Sequence, residues 1–356
     1  MTADTIAVPA GLSGRVRRAR VVAALLIVLL LATALLSIAS GPVPLSLGTV
    51  LDVLRGSAAA ADRDSTIVWQ IRMPRTILAM LVGGALALAG TIMQGLFRNP
   101  LADPGFVGVS SGASFAAIVI IVLAHPWLGT AESPAIVYAL PVAAFLGALV
   151  STILVYRIAT RRGQTSVAIM LLGGIAIAAL MNAGTGSLIF LSSDQQLRDF
   201  QFWSLGSLGG ASWRKVAAVM PFILGTMALI RSFGRGLNAF ALGETEARHL
   251  GVSTQRLKRL AILAIAILTG AAVAVSGTIG FIGLVVPHLL RLTIGPDHHA
   301  LLPSAALLGA ILLLAADMVS RVIVAPAELP IGIITALAGA PFFLWVLLRT
   351  KTAIDL

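Results

Sequence analysis

Cysteine is absent from the 356 residues. That excludes disulfides, thiolate metal sites and cysteine nucleophiles within the chain. Charge is scarce as well. Asp, Glu, Lys and Arg make up 11% of the residues, where a soluble domain carries about 25%. Only 14 residues are acidic, and within the long apolar stretches Asp317 is the main one. A carrier driven by protons or sodium ordinarily shows carboxylates or histidines along its path, so this scarcity argues against one without excluding it. No G-x-x-x-x-G-K-[ST] occurs, and the chain therefore brings no phosphate-cradling loop of its own. No H-E-x-x-H occurs, and no set of His, Asp and Glu gathers at one depth, which argues against a membrane enzyme.

What is present is apolar. Hydrophobic residues are 58% of the chain, in runs too long and continuous for the alternating strands of a barrel. The composition implies an all-α integral membrane protein. Ten spans are expected, near 21–39, 76–94, 107–124, 135–157, 167–190, 213–230, 260–279, 281–294, 302–322 and 331–348. The eighth is short and holds Pro287; if it failed to cross, the last two would invert. The basic segment GRVRRAR leads straight into VVAALLIVLLLATALLSIA, which reads as an uncleaved first span. With both termini placed inside, about two thirds of the 25 Lys and Arg fall on the cytoplasmic side. Loop charge of that kind accounts for the net +11 without nucleic acid. The expected organisation is a basic cytoplasmic segment 1–20, a membrane domain 21–349 with a polar cytoplasmic region 231–259, and a cytoplasmic tail 350–356.

The chain repeats itself. LVGGALALAGTI (81–92) and LTGAAVAVSGTI (268–279) share Leu, Gly, Ala, Ala, Gly, Thr and Ile without gaps. The first copy runs inward in span 2 and the second outward in span 7. An inverted repeat of spans 2–5 and 7–10 follows, a common transporter plan with the path between the halves. The small residues also let helices approach closely.

Asp317 and Arg321 stand four residues apart near the end of span 9, on one helical face. An ionised group at mid-bilayer costs about 2.5–3.5 kcal/mol. A proton relay, a substrate site and a docking point are all compatible with the pair at this stage.

Five stretches converge on one family: IRMPRTILAMLVGGALALAGTIMQGLFRNPLADPGFVGVSSGAS (71–114), FWSLGSLGGASW (202–213), ALGETEARHLGVS (241–253), SGTIGFIGLVVPHLLR (276–291) and ADMVSRVIVAPAELPIGIITALAGAPFFLWVL (316–347). From about residue 48 onward the chain resembles the FecCD-type permeases, the membrane subunits of bacterial ABC importers for iron–siderophores, haem and cobalamin. The resemblance implies the type II importer fold, a multi-pass place in the bacterial inner membrane, a homodimer, two ATPase chains that bind the ATP and Mg, and a periplasmic substrate-binding protein. No permanently bound cofactor is implied. LSSDQQLRDFQFWSLGSLGGASW and RVIVAPAELPIGIITALAGAPFFLW look most like the haem permeases, with ferric siderophore as the alternative and cobalamin third.

The same resemblance nominates residues. Within 231–259 it implies an ATPase-coupling helix, with Gly243, Glu244, Ala247, Leu250 and Gly251 at its surface. Acids before bases in this segment suit a short helix. Arg72 and Arg75, just outside span 2, and Arg321 match arginines that pair with glutamates of the binding protein, a role suited to a planar fork. Asp317 is then the structural partner that orients Arg321 outward. Gln164, Thr165 and Ser166 match a cytoplasmic gate. Asn182 and Thr185, in the outer half of span 5, are expected to line the pathway. Arg198, beside the outer gate SDQQLRDFQF, is the candidate for haem propionates. Of the histidines, His249, His288, His298 and His299 fall near the cytoplasmic side, and with His125 none is assigned to iron, since a firm ligand in the path would hinder release.

Overall fold

The computed structural model describes residues 10–56, 62–124, 134–230, 232–325 and 327–352. His125 and the outermost parts of both terminal segments lie outside them. Fifteen helices follow one another among the described residues: α1 (Ala10–Ala39), α2 (Leu47–Leu54), α3 (Asp62–Thr66), α4 (Met73–Phe97), α5 (Val109–Leu123), α6 (Pro134–Ala159), α7 (Val167–Leu191), α8 (Asp194–Ser204), α9 (Trp213–Ile230), α10 (Phe233–Leu242), α11 (Glu244–His249), α12 (Thr254–Ser276), α13 (Ile282–Ile294), α14 (His298–Val322) and α15 (Ile331–Thr352). A π-helical turn, Ile67–Arg72, joins α3 to α4, so that Asp62–Phe97 is one continuous helical run. Seven helices are long and apolar enough to cross a membrane, and α5, α13 and Ile331–Val346 of α15 are shorter apolar helices. Together they are the ten spans read from the sequence. The remaining helices are short and polar or lie between spans, and the lone hairpin pairs Thr160–Arg161 with Gln164–Thr165.

Contacts sort the loops onto two faces and settle how α13 runs. On one face the hairpin meets the start of α12, where Lys258 Nζ donates to Thr165 O at 2.8 Å. Asn238 of α10 accepts from the backbone N–H of His298, the start of α14, at 2.9 Å on the same face. On the other face Ser207 N donates to Ser276 O at the end of α12, and Gly332 N at the start of α15 donates to Leu205 O. The end of α12 and the start of α14 thus lie on opposite faces, and α13 connects them. Its 13 residues rise only about 20 Å, short of a ~30 Å hydrocarbon core. The non-helical stretch Gly277–Phe281 covers part of the remainder. The first face carries the basic loops and is called the inner face below.

α4 is the centre of the molecule. Of its apolar window 89% is buried inside the chain, against 11% for α7. Glycine permits this closeness. A Cβ on Gly83 would stand 2.3 Å from the carbonyl oxygen of Gly309, and one on Gly90 would stand 2.0 Å from that of Gly283. The packing follows the repeat: α4 lies along α14, and its counterpart α12 lies along α6. The short helices α5 and α13 correspond too. Each is entered through similar residues, Gly105-Phe106-Val107-Gly108 before α5 and Gly280-Phe281-Ile282-Gly283 into α13. In the first copy twelve residues, MQGLFRNPLADP, separate the shared Thr-Ile from this motif, whereas in the second Gly280 follows Ile279 directly, which hides the match along the chain.

Candidate functional site

The coupling segment is shaped by two glycines. Gly243 (φ 134°) breaks the chain between α10 and α11, and Gly251 (φ 81°) turns it toward α12. Both conformations are ones side chains rarely adopt. Ala247, expected at the coupling surface, is instead fully buried on the packed side of α11, while Leu250 is 64% exposed just past its end. Glu244 does not face outward alone. Its Oε2 accepts from Lys258 Nζ at 2.7 Å, and its Oε1 accepts from Arg248 at 2.8 Å and from Gln255 Nε2 at 3.2 Å. Partial burial opposes ionisation of Glu244. The hydrogen bonds from Lys258 and Arg248 outweigh it and hold the carboxyl below its usual range.

The candidate gate sits against this cluster. Arg162 and Gly163 both have positive φ and turn the hairpin. Thr165 is buried; its N–H donates to Gln255 Oε1 at 3.0 Å and its carbonyl accepts from Lys258. Ser166 caps α7 by accepting from Ile169 N, and Gln164 is exposed. Gln164, Thr165, Ser166, Glu244 and Lys258 line one cavity of about 380 Å3. Lys258 and Gln255 are the members of this cluster that sequence reasoning missed. Lys258, 2% exposed, holds a carboxylate on one element and a carbonyl on another, and no spacing rule links residues 165, 244 and 258.

The arginines require a correction. The docking role asks for guanidiniums facing outward, yet Arg72, Arg75 and Arg321 are 4%, 6% and 3% exposed. Arg72 donates to the carbonyls of Ile38 and Ala39 at 2.7 Å each and to that of Val43. Arg321 donates to the carbonyls of Ser37 and Ser40 and to Ser37 Oγ. The physical reason is the end of α1. Its last carbonyls have no partners within the helix, and cations are favoured there. Arg75 meets Asp317 at 2.9 Å and Glu328 at 2.6 Å, and Asp317, fully buried, also meets Arg321 at 3.0 Å. Asp317 therefore clamps Arg321 inward between α1 and α14 instead of aiming it outward. Glu328 and Ser37 are two more partners the sequence did not disclose.

α7 presents a long open face. Gly174 and Gly184 let it lie against Phe106 and Phe115, while Leu172, Ile175 and Leu180 are exposed on the other side. Asn182 lies on that open face, and Thr185 is turned inward, its Oγ1 without a partner. α8 follows through a capping box in which Ser193 and Gln196 satisfy each other's backbone. Arg198 is exposed on α8 and donates to Gln195 Oε1 at 3.0 Å. The structure thus joins the coupling and gate residues, joins Arg75 and Arg321 to Asp317, holds Arg72 on the last carbonyls of α1, and leaves Asn182 and Arg198 apart from these groups. His298 is buried, with Nδ1 at 2.8 Å from Asn238 Oδ1. Among the described residues no group of three His, Asp or Glu could hold a metal ion.

The comparisons agree with this architecture. The hemin transport system permease protein HmuU of Yersinia pestis is 47% identical over 96% of this chain and 98% of its own. The cobalamin import permease BtuC of Halobacterium salinarum is 44% identical over 79% of this chain and 73% of its own, and the vitamin B12 import permease BtuC of Citrobacter koseri is 43% identical over 81% and 85%. A solved structure described as an inward-facing conformation of a metal-chelate type ABC transporter superposes with a TM-score of 0.80 at 32% identity, covering 91% of this chain and 97% of that one. The FecCD transport family matches residues 25–349, a range that takes in nine of the ten spans entire and the second half of α1. With ten apolar helices, a glycine-lined inverted repeat and relatives matched along nearly their whole length, the chain belongs to the FecCD transport family.

Proposed function

We propose that this chain is the permease subunit of an ATP-binding-cassette importer in a bacterial inner membrane, forming the path for haem handed over by a periplasmic binding protein. The observation that carries the reading is the 47% identity to a hemin permease over nearly the whole of both chains. The missing phosphate loop fits a subunit whose energy comes from two separate ATPase chains, which bind the ATP and Mg. A second copy of the chain completes the path, and the open face of α7, with Asn182, forms its wall. The path is wide and binds weakly, since affinity resides in the binding protein.

The bonds among Glu244, Lys258, Gln255 and Thr165 support a coupling route. α11 presents Leu250 and its neighbours to the ATPase groove. When the ATPase moves α11, Glu244 pulls on Lys258, and Lys258 with Gln255 pulls on the Thr165 backbone. The gate hairpin and the start of α7 then move with the coupling helix. At the outer end Arg198 meets the haem propionates as charge-assisted donors. Arg72, Arg75 and Arg321 act by holding α1, α4 and α14 together beneath the receiving surface. Relatives at 43–44% identity move import of cobalamin ahead of ferric siderophores, the alternative read from the sequence, and make it the second reading. The test is ATPase stimulation of the reconstituted complex by binding protein loaded with haem, cobalamin or a ferric siderophore. Stimulation by the haem-loaded form supports the proposal; stimulation only by another form overturns the substrate.

A further inference from the structure

We propose that a groove on the inner face, between α1, α10 and the start of α14, is a binding site for an anionic phospholipid. The groove is a cavity of about 690 Å3. α1 contributes residues 15, 16, 19, 20 and 23, a single stripe at helical spacing. Its mouth is cationic: Arg15 and Arg20 are both exposed and have no ion pair or hydrogen bond among the described residues. Its walls are apolar, with Ala19 and Ala23 facing Leu242, Ala300 and Pro303. The groove also holds one carboxylate, Asp297, against which Arg15 and Arg20 leave an excess of positive charge. Asp297 Oδ1 accepts from Asn238 Nδ2 at 2.6 Å and from His299 N at 3.0 Å.

Depth and shape select the ligand. The basic turn of α1 directly precedes its apolar run, so Arg15 and Arg20 stand at the headgroup level of the inner leaflet, given the orientation used above. Two guanidiniums there suit a phosphate diester, which each can bind through paired donors. An acyl chain fills the apolar wall that a free phosphate leaves empty. A zwitterionic headgroup brings an ammonium toward two arginines and is disfavoured.

The experiment uses the full chain, delipidated in detergent, with lipid adducts counted by native mass spectrometry; it needs neither ATPase nor substrate, so its outcome is separate from the transport reading. Phosphatidylglycerol is expected to be retained over phosphatidylethanolamine, and millimolar inorganic phosphate is expected not to displace it. The R15Q/R20Q variant is expected to bind phosphatidylglycerol on the order of tenfold more weakly. R17Q/R18Q removes the same charge from the opposite side of α1 and is expected to stay within about twofold of the parent. Ala19→Trp keeps the charge, fills the wall and is expected to reduce retention. Equal loss in the two arginine pairs, equal retention of the two lipids, displacement by inorganic phosphate, or full retention by Ala19→Trp each overturns the site.

Discussion

Asp317→Asn tests the arginine cluster. The substitution keeps the side chain's shape and removes one negative charge from a site with no solvent exposure. Arg75 donates to Asp317 through Nε and NH2 at 2.9–3.2 Å, and Arg321 NH2 lies 3.0 Å away. Arg75 keeps Glu328 in the variant, whereas Arg321 keeps only neutral oxygens of α1 and α14. Removing one partner of a buried pair costs about 3–5 kcal/mol, or roughly two to three and a half decades in the folding equilibrium at about 1.4 kcal/mol per decade. The assay is SDS-induced unfolding of the detergent-solubilised protein, followed by tryptophan fluorescence. Adding Arg321→Gln to Asp317→Asn is expected to recover part of the loss, because it removes the charge left without its partner. A change under about 1 kcal/mol, with binding-protein docking lost, would refute the inward arrangement and return the arginines to the receiving surface.

Glu244→Gln is expected to lower uptake per ATP hydrolysed by roughly 3–30-fold, the span of ordinary coupling energies, measured in proteoliposomes; parallel loss of both activities would contradict a coupling role. The Glu244 carboxyl has a folded-state value below its ordinary 4.5, so the stability it lends α11 is present above pH 4.5 and lost as pH falls through the lowered value. Amide exchange in α11, corrected for intrinsic rates, is expected to show constant protection down to about pH 4.5 and a progressive fall below it. Gly90→Val forces a side chain to within 2.0 Å of the Gly283 carbonyl and is expected to cost about 3 kcal/mol or more, read as loss of monodisperse protein. Gly225→Ala, with open space around it, is expected to be neutral or to stabilise α9 by up to about 1 kcal/mol.

Much of the fold was legible because bilayer physics writes it plainly. Long apolar runs must be helices, and the Lys and Arg bias orients them. The repeat in LVGGALALAGTI and LTGAAVAVSGTI announced the pseudo-symmetric packing of α4 and α12, since residues that let backbones touch are small at fixed spacing. Asp317 and Arg321 were readable as a pair because helical spacing alone places them together. Their direction was not. Arg72 and Arg321 turn inward because α1 ends at Ser37–Ser40 with carbonyls in need of donors, and a contact across 281 residues leaves no local trace. The bond between Glu244 and Lys258, and the one from Lys258 to Thr165, are of the same kind. The sequence shows a cation at the start of an apolar helix; only the fold brings the gate hairpin to it.

The central claim is that the chain is the path and not the engine. The most direct measurement is haem uptake into proteoliposomes holding this chain with and without its ATPase and binding protein. Uptake that requires both partners and ATP is the predicted result. Uptake by this chain alone, driven by a proton gradient, would contradict the account.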